Sequence, residues 1–186
     1  VSATGSIAYS QGDFPNKPLT MIIPFEAGGG TDVAARILIK TAEKHLGKAI
    51  TPVNLPGGSS AIGLTKLGNS SNDGYTLATT TSSIYTLKPQ GRMAFSPMDF
   101  EPIIGFNANF YCIAVPAKSE FKTIEQLIAY AKNNPKKLNA GISAIGSNLH
   151  LFSVAFKKLS GVIFNIIPAP GGINQVILET AGGNLD

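Results

Sequence analysis

The sequence holds one cysteine, no tryptophan, two histidines and two arginines in 186 residues. A lone cysteine excludes an intrachain disulfide framework and a cysteine-built metal cluster. Cys112 lies inside the apolar run "YCIAV" and reads as a buried thiol. With His45 and His150 as the two imidazoles, no metal site and no cofactor are expected. A protein that grips anions with guanidinium forks would carry more than Arg36 and Arg92. Charged residues make up only 14% of the chain, and the net charge of +4 is spread over scattered lysines. No basic block forms, so nucleic acid is not an expected partner. No apolar run approaches the roughly 18 residues of a membrane helix.

What is present suits a packed protein: 44% of the residues are hydrophobic, enough for a core at this length. Residues 1–16 are small and polar, without a charged-then-apolar targeting pattern. They read as a leader that is either a mature amino terminus or a cut boundary.

Beyond the leader, short apolar runs alternate with segments of helical period. Strands are expected at Leu19–Ile23, Ile50–Asn54, Tyr75–Thr79, Glu101–Phe106, Tyr111–Val115, Leu138–Ile142 and Ile163–Ile167. The first helix is expected over Thr31–Leu46, with Val33, Ile37, Leu38 and Ala42 on its apolar side and Gly47 as its stop. A weaker helix follows over Ser60–Leu67. "TIEQLIAYAKNNP" carries a Thr123/Gln126 capping box, with Ile124, Leu127, Ile128 and Ala131 as its apolar side. Ser147 and Gly161 bracket another helix, and a last one covers Ile173–Ala181. Strand-helix alternation at these lengths implies an α/β fold with a mostly parallel sheet. The rhythm breaks at residues 96–115, and "VPAKSEF" reads as a linker. The domains expected are therefore 17–116 and 117–186.

Ligands of open parallel sheets bind beyond the carboxyl ends of the strands. Two strand-to-helix turns stand out there, residues 24–32 ("PFEAGGGTD") and 143–148 ("SAIGSN"). A helix start leaves unpaired N–H groups and a partial positive charge, and glycine lets an anion approach them. Each hydrogen bond to a charged group contributes about 1.5 to 3 kcal/mol, while micromolar affinity needs about 8 kcal/mol. Four or five such bonds from two facing turns suffice; one turn does not. The glycine turn alone is equally well read as a tight helix entry. It lacks the Lys-Ser/Thr of a P-loop and the spacing of a dinucleotide fingerprint. Asp32, in the first turn of the helix, is placed to fix the loop.

The motifs "KPLTMIIPFEAGGGTDVAARIL", "PGGSSAIG", "DGYTLATTTSS", "SPMDFEPI", "TIEQLIAYAKNNPKKLNAG", "GSNLHL" and "GGNLD" follow one another in order. Together they resemble the Bug, or TctC-like, substrate-binding proteins of tripartite tricarboxylate transporters, from about Pro15 to Asp186. The resemblance implies a periplasmic-binding-protein-like (type II) fold, with two α/β domains closing over a small organic anion. It implies an exported, periplasmic receptor, its signal peptide removed, that delivers its ligand to membrane permease subunits. Carried onto this chain, the family's ligand-binding positions are Phe25, Ala27, Gly28, Gly30, Thr31 and Asp32 on one side. Ser143, Gly146, Ser147, Asn148 and His150 lie on the other. Thr80 through Ser83, including Ser82, form a third wall. Di- and tricarboxylates, amino acids and aromatic acids all fit the design.

The chain departs from the family pattern at Glu26, at Leu55 before the Pro-Gly turn, and at "PAPGG", residues 168–172. Family members are longer, so the resemblance implies a second domain that continues past Asp186. Two other readings compete. A hydrolase would use Ser143 or Ser147 with His150 and Asp32, although no G-x-S-x-G elbow is present; no catalytic residue is therefore assigned. A ligand sensor would pass the same binding event to a signalling partner.

Overall fold

The structure, a computed structural model, describes residues 14–108 and 110–186. Residues 1–13 of the expected leader lie outside the described residues. Two parallel sheets organise the rest. The first has the order β2-β1-β3, with β1 Leu19–Ile23, β2 Ile50–Asn54 and β3 Thr76–Ala78. In its register Leu19 pairs with Ile50 and Met21 with both Pro52 and Leu77. The second sheet joins β4 Asn139–Ile142 to β5 Asn165–Pro168, with Ala140 opposite Ile166. The α/β reading is thus realised, with helices α1 (Gly30–Leu46), α2 (Ala61–Gly68), α3 (Ile84–Leu87), α4 (Ile124–Asn133), α5 (Asn148–Ser160) and α6 (Gly172–Ala181).

The central strand β1 is nearly all apolar because helices cover both of its faces. On one face Leu19, Met21 and Ile23 pack with Ile50 and with Ala35 and Ile39 of α1. A second cluster joins Ala61 and Leu64 of α2 to Ile84, Leu87 and Met93. Helix α2 lies so close to β1 that a Cβ on Gly63 would stand 2.5 Å from Pro24 Cβ. In the second half, Ala131, Leu138, Val162 and Phe164 form the core with Leu127, Ile128 and Phe156 against them.

Several expectations are corrected. Glu101–Phe106 and Tyr111–Val115 form no strand; the described residues there are irregular and mostly exposed, Ile103 at 76% and Tyr111 at 46%. A strand is a pairing property, and among the described residues no neighbouring strand meets these runs. For the same reason Cys112 is exposed rather than buried. The buried side of α1 is Asp32, Ala35 and Ile39, so Val33 and Ile37, 48% and 65% exposed, point outward. Ile124, at 40%, is likewise outside the α4 core contact. Thr123 does cap α4 by accepting the Gln126 N–H, but the Gln126 side chain reaches back to Lys122 N rather than to the cap residue. Ser147 and Gly161 cap and stop α5 as expected.

Candidate functional site

The turn after β1 is built around Asp32. Its carboxylate is buried although it belongs to the exposed start of a helix. It accepts the Gly28 N–H at 2.9 Å, the Arg36 Nε–H at 2.9 Å and the Asn54 side-chain amide at 2.9 Å. Asn54 also donates to the Phe25 carbonyl at 3.1 Å and accepts from Arg36. The Arg36 hydrogen bond, helped by Gly28 and Asn54 and opposed by burial, holds the carboxyl down to about 2. Asp32 therefore shapes the loop, and the Gly28 N–H is already engaged. Gly29 N donates to Glu26 O. That leaves the amides of Gly30, Thr31 and Asp32 as the first-turn donors that a helix cannot satisfy internally.

The turn after β4 is organised by Ser147 and His150. Ser147 Oγ accepts the His150 N–H at 3.3 Å, while His150 Nδ1 accepts the Gly146 N–H at 3.1 Å. The imidazole is thus a cap-region group. Asp32 is bonded to Gly28, Arg36 and Asn54 rather than to His150, and no Ser-His-Asp relay is assembled from these residues.

The turns of the two halves meet, in a pairing different from the one the sequence suggested. Asn148 Nδ2 donates to Ser82 Oγ at 2.9 Å and lies 3.4 Å from Thr81 Oγ1. Ser83 Oγ bonds Ser60 Oγ at 3.1 Å and Thr81 Oγ1 at 2.9 Å, a chain of hydroxyls at the end of β3. The third wall and the α5 start are therefore in direct contact. The turn after β1 instead approaches the start of α6. A Cβ on Gly172 would stand 3.2 Å from Glu26 Cγ, and one on Gly28 would stand 3.9 Å from Asn174 Nδ2. Phe25 is half-buried, Ala27 exposed, Ser143 half-buried, and Thr80 exposed with its hydroxyl turned to the Thr81 carbonyl. Sequence reasoning missed Ser59, Ser60, Gln90, Arg92, Gly172 and Asn174 as site residues; of these, Ser59 and Ser60 lay in "PGGSSAIG", quoted for the resemblance, and Gly172 in "PAPGG", noted as a departure from the family.

The arrangement collects, at one seam, the carboxyl ends of parallel strands from both sheets. Both arginines are engaged in protein contacts, Arg36 with Asp32 and Arg92 with the Ile145 carbonyl. Chemically the seam offers main-chain amides and hydroxyls. A recess of about 400 Å³ lies elsewhere, between Tyr85, Lys88 and Met98.

Comparison with known proteins places this geometry. Residues 34–186 match the model of the tripartite tricarboxylate transporter family receptor, TctC. A UPF0065 protein in the gbd 5′ region of Cupriavidus necator is 35% identical over 96% of this chain and 55% of its own length. The structure of the periplasmic binding protein BugD superposes with a TM-score of 0.78 at 25% identity, over 93% of this chain and 58% of that one. An R. palustris protein solved with adipate gives a TM-score of 0.74 at 28% identity, with the same coverage. The chain thus spans little more than half the length of the curated relatives it matches. The family is one of receptors rather than enzymes, and the fold is that of periplasmic binding proteins. The chain belongs to the tripartite tricarboxylate transporter receptor (TctC) family.

Proposed function

We propose that this chain is a solute receptor of the periplasm that captures a small organic carboxylate at the seam between its two halves, residues 17–116 and 117–186. The ligand is held by main-chain amides at the starts of α1 and α5, Gly30, Thr31 and Asp32 from one and Asn148 from the other, the Ser147 N–H being engaged by the Ala144 carbonyl at 3.2 Å. Gly146 gives the anion room to approach, and Ser82 with Ser83 closes the third side. The receptor then hands its ligand to permease subunits in the membrane.

The observation that carries this reading is the contact of Asn148 with Ser82 and Thr81, which brings the start of α5 against the third wall at the end of β3, while the α1 turn faces the start of α6 through Glu26 and Gly28. The relative solved with adipate supports a dicarboxylate as the ligand class. The engagement of Arg36 supports donors of the main chain over guanidinium forks.

Native mass spectrometry of the purified protein tests it. A receptor releases a bound small acid unchanged, and at a hundredfold excess over Kd that acid stabilises the fold by about 2.7 kcal/mol. Conversion of the acid to a product would instead mark an enzyme.

A further inference from the structure

We propose that Arg92 and Ser59 form a latch across the seam, with the carbonyl of Ile145 as its catch. In this arrangement Arg92 is a positioning residue that sets how fast a bound anion leaves. The inference rests on the receptor reading above.

Four successive residues adopt left-handed backbone: Gly57 at φ 119°, Gly58 at 58°, Ser59 at 58° and Ser60 at 83°. Two of them carry a Cβ, for which this region is costly, and such strain persists only where the surroundings fix it. The strained turn accomplishes two things. It sets Ser60 Oγ against the buried Ser83 hydroxyl. It also aims Ser59 Oγ across the seam, where it donates to the Ile145 carbonyl at 3.1 Å.

The same carbonyl accepts a second, charge-assisted bond from Arg92 Nη1 at 2.8 Å, and that nitrogen lies 3.4 Å from Ser59 Oγ. Gln90 Nε2 reaches the next carbonyl, Gly146 O, at 3.4 Å. Residue 146 must be glycine for this approach. Its φ is +82°, and a Cβ there would collide with Gln90 Oε1 and stand 3.1 Å from Arg92 Cζ. Thus a strained turn, an arginine and a glycine, all distant in sequence, converge on one peptide unit.

That peptide unit immediately precedes Ser147 and Asn148, the start of α5. Holding Ile145 therefore holds the Asn148 amide that receives the anion. Arg92 is exposed, so its bond is weakened by solvent. The latch is strong enough to bias the closed arrangement and weak enough to open.

Two measurements on the full chain test this. In the first, adipate is the probe and stopped-flow kinetics compare wild type with Arg92→Ala, Arg92→Lys and Ser59→Ala. Arg92→Ala should speed dissociation about tenfold, the effect of one charge-assisted bond, with little change in association. Arg92→Lys should recover part of the loss. The second measurement needs no ligand. Spin labels at Lys40→Cys and Lys158→Cys, in a Cys112→Ser background, report the separation of the halves. Arg92→Ala should shift and broaden that distance distribution toward longer values. Equal dissociation rates in wild type and Arg92→Ala, or superimposable distributions, would overturn the latch. If the wild-type chain leaves adipate unbound, the receptor reading is what fails, while the label distances still uphold or overturn the latch.

Discussion

The carboxylate of Asp32 accepts the backbone N–H of Gly28 at 2.9 Å, closing the turn that leads from β1 into α1. Three consecutive glycines give this turn its path, and one buried charge gives it its shape. The division of labour has a direct consequence. Gly28 is required for its conformation, φ +76°, whereas Gly30 is required for its open surroundings.

Asp32 links the turn to pH. Its carboxyl moves from 3.8 when unfolded to about 2 when folded. A depressed folded value means stability that is fully present above 3.8 and lost as pH falls toward about 2. The contribution is about 2 kcal/mol. Urea unfolding at neutral pH should show Asp32→Asn less stable than wild type by that order. The difference should shrink on acidification to the folded value, and a gap independent of pH would contradict the assignment.

Gly28 and Gly30 separate fold from function. A Cβ on Gly30 meets nothing within 4 Å and its φ is ordinary. Gly30→Val should therefore keep the melting temperature within a few degrees while obstructing approach to the α1 amides. Gly28→Val forces a β-branched residue into left-handed backbone, costing about 1 to 3 kcal/mol, and should lower both stability and affinity. Calorimetric titration with adipate alongside thermal melts reads both effects. Wild-type affinity in both variants would remove the glycine turn from the site.

Close packing of α2 on β1 predicts intolerance at Gly63. A methyl there would stand 2.5 Å from Pro24 Cβ and 3.1 Å from the Leu55 carbonyl, neither the end of a flexible side chain. Gly63→Ala gains helix propensity but should still destabilise by about 1 to 3 kcal/mol through overpacking. Chemical denaturation decides the sign.

Ser147 caps α5 through the His150 N–H. Ser147→Ala should cost about 0.5 to 2 kcal/mol of stability and weaken adipate binding only modestly, because the main-chain donors remain. Loss of all binding would show that the hydroxyl itself is the principal ligand contact.

Much of this fold was legible before any coordinates. The run Leu19–Ile23, the helix stop at Gly47 and the Ser147 cap each express a local rule, apolar burial on both faces of a parallel strand or a specific end geometry, and each is realised. Residues 101–115 were not legible, since apolar content suggests a strand while only a partner makes one. The outward turn of Val33 and Ile37 has a similar origin. The stripe of Ala35, Ile39, Ala42 and Leu46 that packs on the first core is as periodic as theirs, and the choice between stripes is made by the sheet. The two ligand turns were recognisable as helix starts. Which turn meets which was not, because the contact of Glu26 with Gly172 and of Ser59 with Ile145 depends on how two sheets sit together. Arg92 carried no local signal at all.

The central claim is that a carboxylate is held by main-chain N–H groups at helix starts of both halves. The most direct measurement is an amide-resolved NMR titration of the uniformly ¹⁵N-labelled protein with adipate. The account predicts saturable shifts that share one Kd at Gly30, Thr31, Asp32 and Asn148, undiminished when Lys88 is replaced by alanine. Shifts confined to the recess beside Lys88 and Met98, with those four amides unmoved at saturation, would contradict it.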